Sequence, residues 1–202
     1  FSPDTTDFTP IFNKIEGAKP DVISTGISHV GVQPTVQWKN QQVPIPMFGI
    51  SSQATNSTFG KDTNDAAEGV LYQGVSGPDV AVTPKSIPFA EGFKKKFGNY
   101  PSYAGYTSYD EVYYIADAVK RAGSTDADKL VAALEKTDWE GTIGRIQFYG
   151  KEDPFTHSIK YGKVLITVLM LQCADGNQVL LWPKEVAKSQ WKFPRSIKVT
   201  HN

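Results

Sequence analysis

The stretch DFTPIFNKIEGAKPDVISTG, Asp7 to Gly26, decides the fold class. Phe8, Ile11, Phe12, Ile15 and Ala18 recur at helical spacing, with Thr9 placed to cap the helix and Pro10 at its first position. Gly17 and Pro20 then end the helix. Val22 to Thr25 follow as a short strand without apolar–polar alternation, which is the pattern of a strand covered on both faces. A helix joined by a short link to a buried strand is the repeating unit of an α/β sheet.

Outward from this unit the rhythm continues. The sequence predicts a helix around Gln33 to Lys39, a buried strand over Pro46 to Ile50 and another over Val70 to Gln73. The segment GVSGPDVAVTP, Gly74 to Pro84, concentrates Gly, Pro and Ser, and so reads as a crossing between lobes. Beyond it the texture becomes helical: Pro88 to Phe97, Ser102 to Arg121 closed by Ala122-Gly123, and Asp126 to Lys136. Strands are expected over Thr142 to Phe148 and Lys163 to Gln172, with Asp175-Gly176 turning a hairpin into Gln178 to Trp182. The tail from Lys184 should lie on the surface. A parallel sheet that opens on a helix leaves the place of its first strand unfilled, so a further N-terminal segment is expected.

Composition narrows the function. Lys and Arg total 21 and Asp and Glu total 21, so no net field draws the chain to nucleic acid. Cys173 is the single cysteine, which excludes an internal disulfide and a thiolate metal cage. It lies in VLITVLMLQCADG, where a buried inert thiol is expected. The longest apolar run, Val164 to Leu171, falls well short of the about 20 residues that a bilayer-spanning helix needs. Neither G-x-x-x-x-G-K-[ST] nor G-x-G-x-x-G occurs, so no nucleotide cofactor is implied.

The chemistry-bearing residues gather at strand ends. His29 follows the first strand, whereas His157 and His201 fall in a loop and in the tail. Without H-x-x-x-H or H-E-x-x-H spacing, His29 suits a hydrogen-bonding role at a pocket rim better than a metal. In GISSQATNS, Gly49 to Ser57, Gln53 replaces the second glycine of a G-x-S-x-G elbow. Ser51 and Ser52 therefore suit hydrogen bonding to a polar ligand better than nucleophilic attack. Tyr106, Tyr109 and Tyr113 share a helix face at i, i+3 and i+7, a pattern for packing against a sheet. Tyr100 and Tyr103, at or before the start of that helix, are placed to wall a cleft.

Taken in order, DFTPIFNKIEGAKPDVISTG, PMFGIS, AAEGVLYQ, FKKKFGNYPSYAGYTSYDEVYYIADAVKRAGS and TIGRIQF resemble the periplasmic solute-binding proteins of branched-chain amino acid ABC transporters. The resemblance runs from Asp7 to about Trp182. It implies a type I periplasmic-binding-protein fold: two Rossmann-like α/β lobes joined at a hinge and closing over a ligand, here incomplete at the N-terminal side. Residues 1–75 would form most of the second lobe, 76–163 the later part of the first, and 164–202 the return to the second lobe with the tail.

Three family cleft positions carry over. The residue after the first strand falls at Ser28, beside His29, where leucine-type binders place an aromatic. The position that offers a carboxylate to the ligand's α-ammonium falls at Ser51 or Ser52, and the aromatic opening the long helix is kept at Tyr103. Burying an ammonium without a partner charge costs several kcal/mol, so neutral serine favours a carboxylate, an aromatic acid or an amide over an α-amino acid. The resemblance implies a non-catalytic binding component in the periplasm, with a small organic solute, an ABC permease and the missing N-terminal lobe segment as partners. It implies no cofactor and no nucleic acid. Three other readings stand beside it: a receptor's ligand-sensing domain, a serine hydrolase using Ser51 or Ser52, and a structural fragment.

Overall fold

The computed structural model describes residues 1–193. In chain order the first elements are α1 (Thr9–Ala18), β1 (Ile23–Ile27), α2 (Gln33–Asn40), β2 (Met47–Ser51), α3 (Phe59–Asp62) and β3 (Leu71–Gly74). There follow α4 (Ser86–Phe97), α5 (Tyr103–Ala122), α6 (Ala127–Leu134), β4 (Asp138–Glu140), β5 (Arg145–Gln147), β6 (Leu169–Ala174) and β7 (Asn177–Trp182). Two compact units result, one of residues 1–77 with 169–202, the other of 78–168. The sequence reading put these divisions after 75 and 163. Among the described residues, no helix is long and apolar enough to cross a membrane.

In the first unit, α1 begins one residue before Pro10. Thr9 is its first helical residue and not its cap, because the Asp7 carboxylate already accepts the Thr9 N–H at 2.9 Å. Phe8 and Phe12 are buried beneath α1. The Gln37 side chain on α2 then staples the helix entry, accepting from Phe8 N–H at 2.6 Å and donating to the Thr6 carbonyl at 2.7 Å. Trp38 is buried, and its indole N–H is satisfied by the Ile45 carbonyl at 2.9 Å.

Strands β1 and β2 run parallel, with Ile23 opposite Met47 and Ile27 opposite Ser51. Gly49 is required at their centre. Its φ is +140°, and a Cβ there would come within 2.3 Å of the Thr25 carbonyl oxygen.

The third expected strand departs from the parallel pattern. β3 pairs antiparallel with β6, and β6 with β7, in a separate three-stranded sheet. Asp175 and Gly176 both take positive φ, 50° and 72°, as a two-residue hairpin demands. β6 starts at Leu169, not Lys163, so residues 163–168 fall outside it. Leu171, Gln172 and Cys173 are all buried, and Gln172 is tolerated there because its amide bridges Gly69 O and both the N–H and carbonyl of Lys192. Burial pushes the Cys173 thiol up to about 12. The tail is mostly exposed from Lys184 to residue 193; its remainder, with His201, lies outside the described residues.

In the second unit the Asp126 carboxylate caps α6, accepting from Lys129 N–H at 3.2 Å. Arg121 then ties α5 to the end of α6, donating to Ala133 O at 2.6 Å and to the Thr137 hydroxyl at 3.3 Å. The strand expected over Thr142 to Phe148 is shorter, Arg145–Gln147, and its partner β4 was not expected. Asp138 and Arg145, opposite in sign, sit across that ladder and bond directly.

The tyrosine face is also corrected. Tyr106 is buried, but Tyr109 and Tyr113 are 41% and 48% exposed. Tyr109 packs tilted on Phe89 of α4 at 4.4 Å and on Tyr113 at 4.8 Å, while Tyr113 stacks on Trp139 of β4 at 6.3 Å, so this face meets the sheet only through Tyr113. The sheet of this unit has only two short strands, too little to cover that face.

Candidate functional site

The candidate site grows from the carboxyl ends of β1 and β2. Parallel pairing of Ile27 with Ser51 brings the two following loops side by side, and Ser52 N–H donates to Ile27 O at 3.2 Å. Ser28, His29, Ser51 and Ser52 are thereby gathered at one edge of the first unit. Ser28 and His29 are exposed, while Ser51 and Ser52 are half-buried. Such a crevice beyond the carboxyl ends of parallel strands is where open α/β sheets hold ligands. Tyr103 belongs to the second unit, where it is the first residue of α5 and 44% exposed.

Each hydroxyl has a defined job. Ser51 Oγ accepts the Ala54 N–H at 3.2 Å, closing a turn, and its own proton remains to be donated. Ser52 Oγ reaches Ser28 O at 3.3 Å and Gln53 Oε1 at 3.2 Å. Thr55 Oγ1 donates to Ser52 O at 2.8 Å. This arrangement locks a loop. Among the described residues no histidine or carboxylate bonds to either serine hydroxyl, which is the contact a serine hydrolase relies on.

Two residues that hold the loops escaped the sequence reading. Gln53 Nε2 donates to Ser28 O at 2.6 Å, the shorter of two side-chain ties between the loops, since Ser52 Oγ reaches the same oxygen at 3.3 Å. Gln178 on β7 donates to Ala54 O at 3.0 Å and Asn56 O at 3.2 Å, pinning the second loop from the antiparallel sheet. An amide directly after a hydroxyl pair at a strand end was the available signal for Gln53. Gln178 lies 124 residues from Ala54 and carried no local signal.

The resulting edge is neutral. Serine hydroxyls, an imidazole and loop N–H groups supply donors, and neither Ser51 nor Ser52 supplies a carboxylate.

A family model described as "Periplasmic binding protein" matches residues 1–165. No curated protein matches the chain. Among solved structures, the leucine binding protein LivK of Thermotoga maritima is 22% identical with a TM-score of 0.72, the match covering 92% of this chain and 51% of that one. An R. palustris ABC transporter solute-binding protein in complex with benzoate is 15% identical with a TM-score of 0.72, covering 98% and 51%. LivJ of Streptococcus pneumoniae in complex with isoleucine is 21% identical with a TM-score of 0.69, covering 88% and 48%. The chain thus spans about half the length of the solved chains it matches.

Proposed function

The chain belongs to the periplasmic binding protein family and carries its type I α/β fold, and from that premise we propose that it forms part of the extracytoplasmic substrate-binding component of an ABC importer. It captures a small organic solute and makes or breaks no bond. Binding stabilises a closed conformation through contacts that the open one lacks. The crossings near Ser76 to Pro78 and Lys163 to Leu169 act as hinges, and the loaded protein delivers its cargo from the periplasm to a membrane permease.

The observation that carries this reading is the pair of hydroxyl-bearing loops after β1 and β2, tied through Ser28 and Gln53 inside the matched segment. The ligand we assign to it is a small carboxylate, aromatic acid or amide, with Ser28, His29, Ser51 and Ser52 donating to its oxygens. The neutral character of Ser51 and Ser52 favours such a ligand over a branched-chain amino acid, whose ammonium requires a countercharge. Structural relatives were solved with both kinds of ligand, benzoate and isoleucine.

Thermal unfolding with benzoate, benzamide, isoleucine and leucine tests the proposal on this chain and on a version extended to its relatives' length. Ligand at 100 times its dissociation constant adds about 2.7 kcal/mol. That raises Tm by roughly 5 to 11 °C for a chain of this size. Stabilisation by benzoate or benzamide supports the assignment. A response to the amino acids alone overturns the ligand class, and no response from either version overturns the binding role.

A further inference from the structure

The second unit carries a cleft that the proposed transport site does not use. Helix α6 runs only from Ala127 to Leu134 and draws close to α5 where Ala118 and Ala133 are buried. Because α6 is short, the groove beside it stays open and is floored by Ile115, Val131 and Leu134. Two aromatic rings wall it: Tyr114 and Phe148 meet edge to face at 5.7 Å. The rim is charged. Glu111 projects from α5, Glu135 follows α6, and His157 approaches from the loop beyond β5, its Nε2 2.7 Å from Glu135 Oε1. The cavity measures about 280 Å³, just under the usual lower end of small-molecule pockets, so its occupant must be small.

The sign of the local field is fixed by these side chains. Glu111 and Glu135 are the charged residues of the lining apart from His157, and no Lys or Arg is among them. The Tyr114 phenol, which borders the cavity, is pushed above its ordinary value first by burial and then by the negative charges of Glu111 and Asp110. Burial disfavours either charge, but the negative field that adds to it favours a cation, and the rings of Tyr114 and Phe148 add cation–π attraction to the carboxylates.

We propose that the cleft bordered by Glu111, Tyr114, Glu135 and Phe148 binds a small organic ammonium with an apolar body, as a second site chemically opposite to the carboxylate-binding loops. The apolar body lies on Ile115, Val131 and Leu134 beside the two rings. The ammonium projects to the rim, where it meets Glu111 and the Glu135 oxygen not engaged by His157. This assignment is independent of the transport reading, since it rests on the second unit alone.

The test titrates the whole 202-residue chain with phenethylammonium chloride, following ¹H–¹⁵N amide shifts, with 2-phenylethanol and 3-phenylpropionate as neutral and anionic isosteres. Saturable shifts confined to α5, α6 and the loop around His157, with the ammonium bound more tightly than either isostere, support the site. Glu111→Gln should weaken phenethylammonium roughly three- to tenfold. Val131→Trp, at a position 42% exposed and tolerant of bulk, should block binding while both carboxylates remain. Equal binding of the alcohol, tighter binding of the acid, no saturable response, or unchanged binding in Val131→Trp would each overturn the proposal. An unchanged amide spectrum outside the cleft confirms that each variant is folded.

Discussion

Both carboxylate oxygens of Asp110 converge on Thr142: its N–H lies 2.8 Å from one and 2.7 Å from the other, and its hydroxyl donates at 2.9 Å. Ile143 N–H adds a further donor at 3.3 Å. Asp110 is only 2% exposed, so this one side chain of α5 satisfies the backbone of the turn between β4 and β5. Ser86 and Thr83 complete the fastening from the start of α4, donating to the carbonyls of Thr142 and Gly141.

Asp110→Ala should therefore destabilise the second unit by about 3 kcal/mol, because it strands buried N–H groups as well as removing charge-assisted bonds. Asp110→Asn, which keeps one acceptor, should cost less. Urea unfolding followed by a probe in the second unit distinguishes them. An Asp110→Ala loss below that of a routine surface substitution would show the clamp to be dispensable.

Acid stability should depend on the β4–β5 ladder. The Arg145 guanidinium beside Asp138 holds its carboxyl down from 3.8 to about 2. A carboxyl depressed in the folded state contributes stability above its unfolded value, and that contribution is lost as pH falls from 3.8 toward 2. Arg145→Ala should flatten this limb by lowering stability slightly above 3.8 and leaving it unchanged near pH 2, the effect being small because the pair is exposed.

At the alkaline end the sign reverses. Cys173 keeps its proton in the folded state from its ordinary 9.0 up to about 12, whereas the unfolded thiol loses it. Stability should fall as pH rises through that window, and Cys173→Ser should remove the effect at the expense of a buried, poorly matched hydroxyl. The native thiol should also resist iodoacetamide at pH 8 and react in urea.

The loops at the candidate site carry a sharper expectation. Gln53→Ala removes the 2.6 Å tie to the Ser28 carbonyl while leaving every serine in place. Its cost to unliganded stability should be about 1 kcal/mol. Ligand affinity should fall several-fold, because the donors must then be ordered on binding. Equal affinity in the variant would mean that the ties from Ser52 and Gln178 fix the loops without Gln53.

Ser51→Asp should invert ligand preference. The new carboxylate would repel benzoate and supply the countercharge that an amino acid's ammonium lacks. Thermal shift should then grow for isoleucine and shrink for benzoate. A parallel loss of both would point to disruption of the Ala54 turn instead.

Much of this was legible locally. Phe8, Ile11, Phe12 and Ile15 declared α1, the uninterrupted apolar residues declared β1 and β2, and Asp175-Gly176 declared its hairpin, because periodicity and turn chemistry act over a few residues. The place of Ser28, Ser51 and Ser52 at strand ends was legible for the same reason. What tertiary structure decided were long-range pairings: β3 meeting β6 across nearly a hundred residues of sequence, Gln178 gripping Ala54 and Asn56, and Asp110 reaching Thr142. The exposed halves of Tyr109 and Tyr113 belong here too, since a helix face states only that it is apolar. Which surface covers it, and whether any does, depends on what the rest of the chain folds against it.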